Sequence, residues 1–75
     1  MSRLPSLKPA KVLRALERAG FFIHHIKGSH YFLKHPDKPG LWVTVPFHGG
    51  DLKRRTLTSI IDQAGFTVED FLELL

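Results

Sequence analysis

The sequence contains no cysteine among its 75 residues, one methionine, one tryptophan and one tyrosine. Without cysteine there is neither a disulfide staple nor a thiolate metal site, a composition that fits a reducing cytosol without requiring one. No stretch approaches the roughly 20 consecutive apolar residues that span a bilayer. The opening segment, MSRLPSLKPAKVLRALERAG, carries charge throughout and has no apolar run of signal-peptide length. The expectation is a cytoplasmic protein without membrane association. At this length it reads as a single domain over residues 1–75 with a modest core.

Cations are also missing from one part of the chain. All 11 Lys and Arg lie at or before Arg55, against only Glu17, Asp37 and Asp51, so the first 55 residues carry +8. The last 20 carry Asp62, Glu69, Asp70 and Glu73 and no cation, for −4. A basic body of this kind fits an anionic partner, nucleic acid above all. Small proteins are also basic for solubility alone, so charge by itself decides nothing.

What is present reads as alternating elements. KPAKVLRALERAG groups Val12, Leu13 and Leu16 on one face, with Pro9 near the start and Gly20 past the end, the asymmetry of a helix. FFIHHI and HYFLKH are rich in aromatic and β-branched residues and read as two strands joined by a KGS hairpin. PDKPG reads as a turn, and LWVTVP as a third strand with Leu41, Val43 and Val45 on one face and Pro46 closing it. RRTLTSIIDQAGF spaces Leu57, Ile60, Ile61 and Ala64 as a helix that stops at Gly65. In TVEDFLELL, Thr67 and Asp70 form a relative of the capping box ahead of a short last helix. Short connections make the strands an antiparallel meander covered by helices on one face: an α+β, two-layer fold.

Five histidines in a chain this short call for separate treatment. His24 and His25 are adjacent in a strand and are expected on opposite faces, one at the surface and one partly covered. His35, beside the PDKPG turn, is expected to be a solvated turn residue. His30 follows KGS, and His48 lies in the FHGGDLK loop that leaves the third strand. In an antiparallel meander those two positions fall at the same end of the sheet. A metal set of His30, His48 and Asp51 has no recognised ligand spacing, so no metal is expected. A Ser29–His30 nucleophile pair is weak because neighbouring residues rarely aim at each other.

RNA offers chemistry that needs neither metal nor cofactor. Its 2′-hydroxyl attacks the adjacent phosphate once a base removes the proton, an acid protonates the departing 5′-oxygen, and cations stabilise the crowded phosphorus. Histidine takes either proton-transfer role near neutral pH. Lys27, Lys34, Lys53, Arg54 and Arg55 are candidate phosphate contacts. Gly28 and Ser29 would turn the chain and bring backbone and hydroxyl near a phosphate. Cations at the start of a helix oppose its macrodipole, which favours a use for Lys53–Arg55 beyond solvation. Tyr31, Phe32 or Trp42 can stack on a base where they face outward, with at least one expected in the core. Alternation separates His30, Phe32 and Lys34 from Tyr31, Leu33 and His35.

At this point the chain resembles a known family. KVLRALERAGF, GSHYF at 28–32, VTVPFH at 43–48 and TLTSIIDQAGFTVEDFLELL at 56–75 are similar, in that order, to the HicA family of toxin ribonucleases. The resemblance covers nearly the whole chain. It implies a fold like the double-stranded-RNA-binding domain and a metal-independent endonuclease that cuts mRNA and stops translation. It implies that His30, the histidine of the Gly-Ser-His motif, is the catalytic one, with His48 left as either a second acid or a phosphate contact. The implied partner is a HicB-type antitoxin, and the exposed apolar surface of so small a domain leaves room for self-association too. Two other readings stand beside the ribonuclease: a non-catalytic RNA-binding module, and a basic surface that only docks an acidic protein.

Overall fold

The computed structural model describes residues 4–75. Helix α1 (Pro9–Arg18) starts with proline at a position whose amide would have no helical partner anyway, and buries Pro9, Val12, Ala15 and Leu16. Strands β1 (Phe22–Lys27), β2 (His30–His35) and β3 (Lys38–Pro46) pair antiparallel in that order. Helices α2 (Arg54–Gln63) and α3 (Val68–Leu72) follow. Leu33, Val43 and Val45 turn one face of the sheet toward Val12, Leu16, Leu57, Ile60, Ile61 and Phe71, which together make the core. Helix, three-stranded meander and helix in two layers is the arrangement of the double-stranded-RNA-binding fold.

The two long helices end identically, for the same local reason. Ala-Gly-Phe follows each, at 19–21 and 64–66. Gly20 (φ 100°) and Gly65 (φ 79°) take the left-handed conformation, and the next amide reaches back, Phe21 N–H to Leu16 O and Phe66 N–H to Ile61 O, both at 3.1 Å. This closure turns the chain sharply and satisfies carbonyls the helix leaves open. It also delivers both phenylalanines to one place, where their rings meet edge to face at 6.2 Å. Helix α3 starts on Thr67, whose Oγ1 accepts the Asp70 amide at 3.1 Å, the half of a capping box that the sequence suggests.

Three details differ from the sequence expectation. β3 begins at Lys38, inside the stretch read as a turn, because Pro36 and Asp37 alone reverse the chain. His35 pairs with Lys38 and Lys34 with Trp42, so residues 39–41 loop out of the ladder, and Pro39 is accommodated there on an edge strand. β1 starts at Phe22, since Phe21 belongs to the helix closure and the core. Finally, β1 carries a bulge between Ile23 and His25. The outer edge of β3 is partly covered, with the Thr44 amide donating to Gln63 Oε1 on α2 at 3.0 Å. No helix among the described residues is long and apolar enough to cross a membrane.

Candidate nucleic-acid interface

The β1–β2 hairpin turns on two residues, Gly28 and Ser29, between the paired Lys27 and His30. Gly28 has φ 59° and no other residue of the turn has positive φ, the pattern of a type II′ turn with glycine at its first central position. A side chain at Gly28 would meet nothing within 4 Å, so the turn has open space above it. Ser29 O accepts the Phe47 amide at 2.7 Å, and His30 pairs with Pro46. The hairpin is thereby strapped to the exit of β3, and His48 follows one residue beyond that strap. The two ends expected to meet do meet.

Lys27, Gly28, Ser29, His30 and Phe32 line a single pocket at this end of the sheet. His30 lies on the face away from the helices, with Phe32 and Lys34, as alternation requires. Its ring is exposed and makes no hydrogen bond within the described residues. The other four histidines all have partners. His24 and His25 hold each other, Nδ1 to Nδ1, at 2.8 Å. His35 Nε2 lies 2.9 Å from Ala19 O and its Nδ1 accepts the Asp37 amide at 3.1 Å. His48 Nδ1 accepts the Gly50 amide at 3.4 Å.

Two expectations about these rings are corrected. His35 is not a solvated turn residue: it is half-buried, edge-on to Phe21 at 5.0 Å, and it ties the end of β2 to the end of α1. Because a carbonyl only accepts, Nε2 must carry the proton and Nδ1 the lone pair. His24 and His25 do not point to opposite faces. The bulge places two residues against one partner, which interrupts alternation, and both rings are exposed.

The same bulge builds an aromatic group on the open face of the sheet. His25 lies flat on Phe32 (4.5 Å, 9°), His24 meets Trp42 edge-on at 5.2 Å, and Lys34 Nζ sits 4.6 Å over the Trp42 ring. Tyr31 is the core-side aromatic, stacked on Phe47 at 4.6 Å. Of the remaining predicted contacts, Arg54 and Arg55 do not reach the His30 pocket. They line a separate groove on α2 with Thr58, Ser59 and Asp62, and Lys53 is exposed at the helix start. Among the described residues no three His, Asp or Glu side chains group as metal ligands.

A family model described as the HicA toxin of bacterial toxin–antitoxin systems matches residues 9–66, from the first residue of α1 to the phenylalanine that closes α2. A comparison with the curated proteins finds no match.

Proposed function

The chain belongs to the HicA toxin family of bacterial toxin–antitoxin systems, and from that membership and the pocket around His30 we propose that it is a metal-independent mRNA endoribonuclease. One observation carries the assignment of His30: among the described residues it is the histidine with both ring nitrogens unengaged and its ring lining the pocket, while His24, His25 and His48 each commit Nδ1 and His35 commits both nitrogens. A proton-transfer group must have a ring nitrogen free for substrate.

The RNA 2′-hydroxyl gives up its proton, its oxygen bonds to the adjacent phosphorus, and the bond from phosphorus to the 5′-oxygen breaks. The proton lost at the 2′-oxygen is balanced by one gained at the 5′-oxygen. The products are a 2′,3′-cyclic phosphate and a 5′-hydroxyl. His30 performs one of these transfers. Lys27 beside it opposes the charge that builds on the phosphate, and the Gly28 and Ser29 backbone lets that phosphate approach. His48, delivered to the same end by the Phe47–Ser29 strap, is the candidate second group or phosphate contact. Lys34 and the Lys53–Arg55 run extend the path of the RNA. The activity resides in one domain over residues 1–75 and belongs in the cytoplasm, where its substrate is. A HicB-type antitoxin restrains it by laying an acidic element over the basic pocket.

The test is incubation of wild type and His30→Ala, purified free of antitoxin, with long single-stranded RNA in EDTA, followed by end-group analysis. Cleavage by wild type alone, with cyclic or 3′-phosphate ends, is the expected result. Equal cutting by both proteins would remove His30 from the mechanism. Loss of activity in EDTA would return the reading to metal chemistry, and binding without cleavage would leave a non-catalytic RNA-binding module.

A further inference from the structure

We propose that the open face of the sheet is a base-stacking platform for single-stranded RNA, with Trp42 and the His25–Phe32 pair as its stacking surfaces. The inference rests on the ribonuclease reading and adds to it how the strand is held on the approach to His30.

Three observations support it. First, the face is aromatic where the helices do not cover it. Trp42 is 44% exposed, the His24 and His25 rings stand edge-on to it, and His25 in turn lies flat on Phe32. An aromatic group of this size is ordinarily spent in a core. Second, no carboxylate occurs in β1, β2 or β3, while Lys27 and Lys34 belong to the same face. Charge and flat apolar surface together suit a ligand that is anionic along its length and aromatic at intervals, which describes single-stranded nucleic acid. An acidic protein segment would satisfy only the charge. Third, the platform runs into the pocket. Phe32 borders both, touching His25 on one side and lining the His30 pocket on the other.

The spacing suits a strand laid along β2. His30, Phe32 and Lys34 alternate onto this face, so the residue opposite Lys34, Trp42, stands about 14 Å along the strand from His30. Bases stacked at Trp42 and at His25–Phe32 would hold successive nucleotides on one side of the phosphate at His30. In the free protein Lys34 occupies the electron-rich face of Trp42. Base stacking is the stronger of the two contacts at an exposed site, so an arriving base takes that face and frees Lys34 for a phosphate.

Trp42 is the single tryptophan, so its fluorescence reports on the platform alone. Wild type is titrated with a 2′-O-methyl oligoadenylate, which it cannot cut, and with inorganic polyphosphate, which offers charge without bases. The expected result is quenching by the oligoadenylate only. Trp42→Ala should weaken oligoadenylate binding, read by anisotropy of labelled RNA, by about five- to 150-fold. Trp42→Phe should restore most of it, and polyphosphate affinity should not fall in either variant. Phe32→Ala should weaken oligoadenylate binding in the same way. Oligoadenylate that binds without quenching, or equal quenching by polyphosphate, overturns the platform. Quenching by a purified antitoxin but by no RNA would assign the face to protein docking and also overturn it. The cleavage assay with His30→Ala stands apart: if wild type does not cut RNA yet the quenching is found, the ribonuclease reading fails and the platform stands.

Discussion

The Nδ1 atoms of His24 and His25 lie 2.8 Å apart, although consecutive residues of a strand ordinarily face opposite ways. One extra residue in β1 produces this contact. Ile23 pairs with Leu33 and His25 with Phe32, so His24 has no partner of its own across the ladder. In that contact one ring donates and the other accepts, so at least one of the two is neutral. The bulge thus places two imidazoles on a face that regular alternation would have limited to one.

Deleting His24 should therefore be tolerated. The shortened strand keeps Ile23 opposite Leu33 and His25 opposite Phe32, with Ile26 and Lys27 still facing Tyr31 and His30. Thermal melting should show a small change, and cross-strand nuclear Overhauser contacts should retain both pairs. Deleting Ile26 is the contrasting variant, because it moves His25 off Phe32 and onto the opposite face of the sheet, in the half-exposed apolar position beside Tyr31. A larger loss of stability for the His24 deletion than for the Ile26 deletion would contradict this account of the bulge.

Gly20 and His35 should prove coupled. A Cβ on Gly20 would lie 2.7 Å from His35 Nε2, and the backbone there has φ 100°. Gly20→Ala should cost about 1–3 kcal/mol from the left-handed backbone, with the contact adding to it. His35→Ala forfeits the bonds to Ala19 O and from the Asp37 amide, for about 1–3 kcal/mol. The double variant should be more stable than the sum of the two losses allows, because the alanine at 35 removes the clash. Denaturant melts of the four proteins measure this, and strict additivity would deny the contact.

Phe71 tests how far the fold depends on its shortest helix. Its side chain is fully buried (0% exposed) in a five-residue helix that follows the segment the family match covers. Phe71→Ala should cost about 3–5 kcal/mol. A domain of this size is expected to have only about 4–11 kcal/mol in all, so the variant should melt at a much lower temperature or fail to fold. Thr67→Ala, which removes only the cap on the Asp70 amide, should cost about 1 kcal/mol. Urea melts that rank the two the other way would mean that α3 is held by its cap rather than by the core.

Periodicity carried most of the architecture, because the helices and the sheet each bury one face and the sequence must alternate accordingly. Leu33, Val43 and Val45 and the Leu57–Ile60–Ile61 set could be read that way. The bulge at His24 could not, because a bulge breaks the very period from which faces are inferred. Nor could the role of His35, whose partner Ala19 is distant in sequence and meets it only through the closure at Gly20. The approach of the hairpin to the exit of β3 followed from topology. The Phe47–Ser29 bond that secures it depends on register, which hydropathy does not specify.

The cations of α2 should separate binding from chemistry. Arg54 and Arg55 line a groove distinct from the His30 pocket, and Asp62 in the same groove would repel a phosphate. If RNA crosses this end of the helix, replacing Lys53, Arg54 and Arg55 by glutamine should weaken binding at low salt. It should also flatten the plot of log affinity against log salt by about 0.7 for each phosphate no longer neutralised, or about 2 for all three. Single-turnover cleavage at saturating RNA should change little, since none of the three lines the pocket. His30→Ala should do the reverse, keeping the salt slope and losing about 100-fold or more in rate. An unchanged slope in the triple variant would make these residues a solvated helix end. A collapse of its single-turnover rate would instead place them at the reacting phosphate.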